Sequence, residues 1–173
     1  MKRLALPLLF LAMAVCTLNA DDLLTTAERS GFTATSTNAD VLAFCKALAA
    51  DSPMVHFTTI GHSASGNPIP LLIVGDPAPR SAAELINSDR LPVYIQANIH
   101  AGEVEGKEAT LMLARDIANG KYPDLPGKLV LLVVPNYNSD GNDQISPENR
   151  YYQGGPENGV GLRTNGMNLD LNR

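Results

Sequence analysis

The chain has 173 residues, 45% of them apolar and 18% charged, which is the composition of a single globular domain with enough apolar matter for a core. Its formal net charge of −5 offers no basic footprint, so nucleic-acid binding is set aside. Glycine and proline are spread along the sequence, and no repeat, low-complexity tract or charge block marks a second unit.

Residues 1–20 are laid out as a secretory signal. Lys2 and Arg3 give a positive start, residues 4–15 are apolar apart from Pro7, and a polar stretch ends at Ala20 ahead of Asp21 and Asp22. The apolar run is too short to span a membrane as a helix. Leu18 departs from the small residue preferred before a cut, and a lipoprotein cut ahead of Cys16 is disfavoured by Val15. A buried N-terminal helix fits poorly with Pro7 and the basic start. The expectation is cleavage near Ala20, a mature domain over 21–173, and a secreted or periplasmic location without stable membrane insertion. Cys16 would leave with the signal, so Cys45 stands alone and no intramolecular disulfide remains possible. On an apolar helical face, Cys45 reads as a small buried hydrophobe.

Asn38 can cap a helix over 39–50, with Val41, Leu42, Cys45, Leu48 and Ala49 at helical spacing and Ser52-Pro53 as its stop. Residues 56–61 and 69–74 read as strands, and the turn-rich "HSASGNP" between them predicts a β-hairpin. Residues 76–92 form a surface connection with at most a short helix. Residues 93–99 are nearly continuously apolar, the mark of a buried strand. A helix follows from 104 or 106 to 119, closed by Gly120, and "LVLLVV" at 129–134 is a second buried strand. Two strands joined by one helix make a crossover, so they should be parallel neighbours. The fold class is then α/β, a mixed, mostly parallel sheet flanked by helices. Residues 135–173 turn polar, rich in Asn, Gly, Asp and Arg. A long irregular segment after a strand end lies where open α/β sheets place their ligands.

Chemistry concentrates at that sheet end. His100 and Glu103 flank a short Ala101-Gly102 turn at the mouth of the helix. Imidazole nitrogen and carboxylate oxygen are both zinc ligands, and glycine lets the backbone turn tightly. Taken alone, the pair reads more readily as a solvated surface couple than as a ligand pair. Glu105 and Glu108 read as charges that favour the helix start rather than as ligands. His56 and His62 read as structural or exposed, with His62 able to line a cleft. Downstream, "PNYNSDG" follows the second buried strand, and "RTNGMNLDLNR" carries Arg163, Asn172 and Arg173. Arginines suit a carboxylate or a developing oxyanion.

In their order, "HAGEVEGKEA", "LLVVPNYNSDGND" and "RTNGMNLDLNR" resemble the zinc carboxypeptidases of the M14 type, the carboxypeptidase A-like family. The upstream "IGHSASGNPIPLLIVG" resembles that family's early hairpin, and the likeness runs from about residue 40 to the last. It implies a carboxypeptidase-like fold, incomplete here, and a zinc-dependent hydrolase of peptide C-termini. His100 and Glu103 would be two zinc ligands. Arg163 would polarise the substrate carbonyl, Asn172 and Arg173 would bind the substrate's terminal carboxylate, and Arg150 would be a further substrate contact. The family's Asn-Pro-Asp-Gly reads Asn138-Ser139-Asp140-Gly141 here, in a loop of structural role. No histidine follows His100. The third zinc ligand and the general base are therefore expected beyond residue 173, and the sequence reads as the N-terminal portion of a longer protein, inactive by itself. Two other readings stay open: an amidase or deacylase of the same fold acting on small N-acyl amino acids or cell-wall peptides, and a non-catalytic peptide-binding module.

Overall fold

The computed structural model describes residues 23–173, so the signal reading of residues 1–20 lies outside the described residues. The elements in chain order are α1 (Thr26–Arg29), α2 (Asn38–Asp51), β1 (Val55–His62), β2 (Pro68–Val74), α3 (Ala82–Ile86), β3 (Leu91–Gln96), α4 (Val104–Ala118), β4 (Leu129–Val134) and α5 (Ser139–Asn142). Helix α2 begins one residue before the expected start, because Thr37 rather than Asn38 is its cap. The Thr37 hydroxyl accepts from the Asp40 amide while the Asp40 carboxylate accepts from the Thr37 amide, a reciprocal capping box.

The sheet order is β1-β2-β4-β3. The hairpin β1–β2 is antiparallel, β2 and β4 are antiparallel, and β3 and β4 are parallel as the crossover through α4 requires. The sheet is mixed, and within the described residues the hairpin tilts the balance toward antiparallel ladders. Val55, Leu72, Val74, Leu131 and Val133 present one face of it to Val41, Phe44, Cys45 and Leu48 of α2 and Leu111, Ala114 and Ile117 of α4. Cys45 is fully buried in that cluster, and burial pushes its thiol far above the usual range. β3 is less buried than its apolar run predicts. Among the described residues it pairs on one side only, and Leu91 and Tyr94 are exposed.

Helix α4 departs furthest from its sequence reading. Glu108 is not a solvated helix-start charge: it is 5% exposed, and its carboxylate accepts from the Thr35 hydroxyl (2.8 Å), the Ser36 amide (2.6 Å) and the Ser36 hydroxyl (3.1 Å). Lys107 is fully buried beside it, donating to the Ser36 carbonyl (2.5 Å) and to Asn142 Oδ1 (2.6 Å). Burial pulls the Lys107 ammonium down to about 8, while Glu108, Asp143 and Asp40 draw it back up. The strap at residues 33–37 thus lies over α4, bound by charge-assisted hydrogen bonds.

Candidate metal and substrate site

His100 and Glu103 sit on the turn between β3 and α4, with the Glu103 amide bonded to the His100 carbonyl. The turn is held from below. Asn98, at φ 58°, donates from Nδ2 to Asn136 Oδ1 (2.7 Å) and Asn142 Oδ1 (3.0 Å), and Asn142 in turn receives Lys107. The His100 ring is buried, with Nε2 2.9 Å from Asp170 Oδ1 and Nδ1 3.1 Å from Glu103 Oε1.

Asp170 holds the far ring nitrogen. The Asn172 amide, His100 and the Arg163 guanidinium hold its carboxyl well below the usual carboxylate range, so it accepts and does not donate. Nε2 then donates to Asp170, and with Nδ1 facing the Glu103 carboxylate the ring has a carboxylate acceptor at each nitrogen. A proton on Nδ1 makes this contact a hydrogen bond, and a metal ion in the proton's place would take both atoms as ligands. Their 3.1 Å separation approaches the span of about 3.3 Å between two ligands of a tetrahedral zinc with bonds of about 2.0–2.2 Å. The pair fits a zinc ion as two ligands. Among the described residues no set of three His, Cys, Asp or Glu gathers to complete such a site.

The polar tail supplies the remaining charges. Gly141 and Gly161 let the backbone at 161–164 lie against α5 and the Ala101 turn: a Cβ on Gly141 would stand 2.5 Å from the carbonyls of Leu162 and Thr164, and one on Gly161 would stand 2.8 Å from that of Ala101. Asn138 caps α5 and donates to the carbonyls of Arg163 and Thr164. Asp140 accepts from Ser63, Ser65 and Asn67 and fixes the hairpin loop to the tail, the structural role expected of this segment. Arg163 Nε reaches Asp170 Oδ2 at 3.0 Å, and Arg150 Nη2 reaches Glu103 Oε1 at 2.8 Å. With Arg150 foremost among its stabilising partners and His100 next, Glu103 stays below the usual carboxylate range although desolvation pushes it up. Asn172 and Arg173 are exposed on the turn after Asp170, and the Asn172 amide donates to Asp170 Oδ1. His62 lines a small cleft with Ser63, Tyr137, Asn138 and Asp140.

His100, Glu103, Arg150 and Arg163 are therefore tied into one hydrogen-bonded network, with Asn172 and Arg173 at its rim. The member the sequence reading missed is Asp170. Its signal was an acidic residue inside the same "LDLNR" run as Asn172 and Arg173, but its partner lies 70 positions away.

The family model for zinc carboxypeptidases (Peptidase M14) matches residues 41–173. No curated protein matches the chain. Among solved structures, the fold is similar to a metallo-carboxypeptidase from Burkholderia cenocepacia (22% identity, TM-score 0.58, 80% of this chain and 33% of that one) and to the carboxypeptidase A from Helicoverpa armigera (23% identity, TM-score 0.55, 70% and 31%). It is also similar to a Pseudomonas aeruginosa metallo-carboxypeptidase in complex with (2-guanidinoethylmercapto)succinic acid (24% identity, TM-score 0.50, 80% and 31%). The chain spans about a third of the length of these solved proteins. With a mixed sheet, a His-x-x-Glu turn at its end and a family match over most of the sequence, this chain belongs to the zinc carboxypeptidase family.

Proposed function

We propose that the whole protein is an exported zinc-dependent metallocarboxypeptidase that removes residues from peptide C-termini. The observation that carries this is the facing pair of His100 Nδ1 and Glu103 Oε1, with the far ring nitrogen held by Asp170. Export rests on the reading of residues 1–20; among the described residues no helix is long and apolar enough to cross a membrane.

His100 and Glu103 would hold the zinc, with a third ligand and a general base from outside these residues. Zinc in that place supplies a Lewis acid that acidifies water and polarises a carbonyl. Asp170 would keep a proton on Nε2 and leave Nδ1 as the ring nitrogen available to the metal. Arg163, tethered to Asp170 at the rim, would meet negative charge that develops on the substrate carbonyl oxygen. Asn172, Arg173 and Arg150 would bind the substrate's free carboxylate, for which a guanidinium fork is the matching shape.

The test compares a peptide bearing a free C-terminal carboxylate with the same peptide amidated. The expected result is release of the last residue from the free form, at least about 100-fold slower release from the amide, and loss of activity with a chelator that added zinc reverses. Turnover confined to small N-acyl amino acids would replace peptidase by deacylase. Peptide binding without any turnover would make the protein a binding module.

A further inference from the structure

Glu103 Oε1 has two neighbours, and one of them is already a cation. Arg150 Nη2 lies 2.8 Å from the same oxygen that faces His100 Nδ1. The Arg150 side chain reaches it by lying across Gly102. A Cβ at position 102 would stand 2.6 Å from Arg150 Nε, 2.7 Å from Cδ and 3.2 Å from Cγ. Gly102 does not have a positive φ, so the turn itself does not require glycine. Its missing side chain serves the arginine. The second nitrogen, Nη1, is held by Gln153 Oε1 at 3.2 Å, and Arg150 lines a cleft of about 310 Å³ together with Gly102, Glu105, Tyr151, Gln153 and Glu157.

We propose that Arg150 is the counter-cation of the metal pair: its guanidinium, seated on Gly102, holds Glu103 while the metal is away, and metal loading displaces it into the adjoining cleft. The inference rests on His100 and Glu103 being metal ligands. A divalent ion and a guanidinium on one carboxylate repel each other, so each binds less tightly in the other's presence. Gln153 remains as a tether when Glu103 is taken. The released guanidinium then faces the cleft as a free fork for an anionic group of the substrate, so that the substrate contact is armed only when the metal is present. The same ion pair holds the Glu103 carboxylate beside His100.

The experiment is calorimetric titration of zinc into the metal-stripped whole protein and three variants. Arg150→Ala is expected to bind zinc about tenfold more tightly than wild type, the worth of one charge-assisted hydrogen bond on a partly exposed carboxylate. Gly102→Ala keeps the charge but drives the side chain off its seat, and is expected to shift affinity in the same direction. The double variant should gain no more than the larger single effect, because both remove one contact. Unchanged or weaker zinc binding in both single variants overturns the counter-cation role. The control is His100→Ala: zinc binding equal to wild type there would instead sink the metal pair itself, whatever Arg150 does.

Discussion

Replacing His100 by alanine is expected to lower both zinc affinity and peptide hydrolysis by at least about 1,000-fold in the whole protein, since a three-ligand site loses the imidazole ligand that the β3–α4 turn supplies. Glu103→Ala should do the same through the second ligand. The graded case is Asp170→Asn. A carboxylate at 2.9 Å from Nε2 can only accept, which leaves one tautomer; an amide can present either an acceptor or a donor, so the ring is no longer committed. Its expected cost is about 10- to 100-fold in affinity or rate. Because the Asp170 carboxyl is held well below the usual range, its role persists across neutral and mildly acidic pH, and the wild-type to Asp170→Asn ratio should stay flat there. Zinc titration and turnover of a free-carboxylate peptide measure all three. His100→Ala with wild-type stoichiometry and rate would remove the site from this turn.

How much of this was legible follows from the range over which each signal acts. The helix faces and the two strands around α4 are local patterns, and Cys45 in the core follows from the period of α2 alone. The His100–Glu103 pair was visible because both members fall within one turn of chain. β3 misled because an apolar run reports the strand's own composition, while exposure depends on how many neighbours flank it. Glu108 misled for a related reason. Five residues into α4, a glutamate on a regular helix faces solvent as readily as the core, and its charge suits the dipole's positive end. What buries it is the strap at Thr35 and Ser36, more than 70 positions earlier in the chain. Arg150 is the most instructive. The sequence marked it as a contact for substrate and marked Gly102 as a turn residue. Only the fold, in which a Cβ on Gly102 would stand 2.6 Å from Arg150 Nε, shows that the glycine makes room for the arginine.

The second large effect concerns stability rather than chemistry. Glu108→Ala is expected to destabilise the protein by about 3 kcal/mol or more, by leaving three donors without their buried acceptor and by opening a void under the strap. Lys107→Met should be milder at neutral pH. The Ser36 carbonyl still accepts from Asn142 Nδ2, and Asn142 Oδ1 still accepts from Asn98, so neither oxygen is orphaned. The two variants also separate by pH. Lys107 is held at about 8 in the folded chain against an ordinary value of 10.5. Between those values the unfolded chain binds a proton that the folded chain does not, so this group raises stability as pH rises, and its full cost is borne below about 8. Going from about pH 7 to about pH 9.5, wild type should gain about 2 kcal/mol relative to Lys107→Met, read as the difference of their urea unfolding free energies. Parallel curves for the two would mean that Lys107 titrates as an exposed lysine does. Glu108 is first among the charges that draw Lys107 upward, so Glu108→Ala should lower the lysine further and push its own pH response toward neutrality. Since Lys107 also steadies Asn142, and Asn142 steadies Asn98 two residues before His100, a loosened strap should reach the metal pair as weaker zinc binding before the domain unfolds.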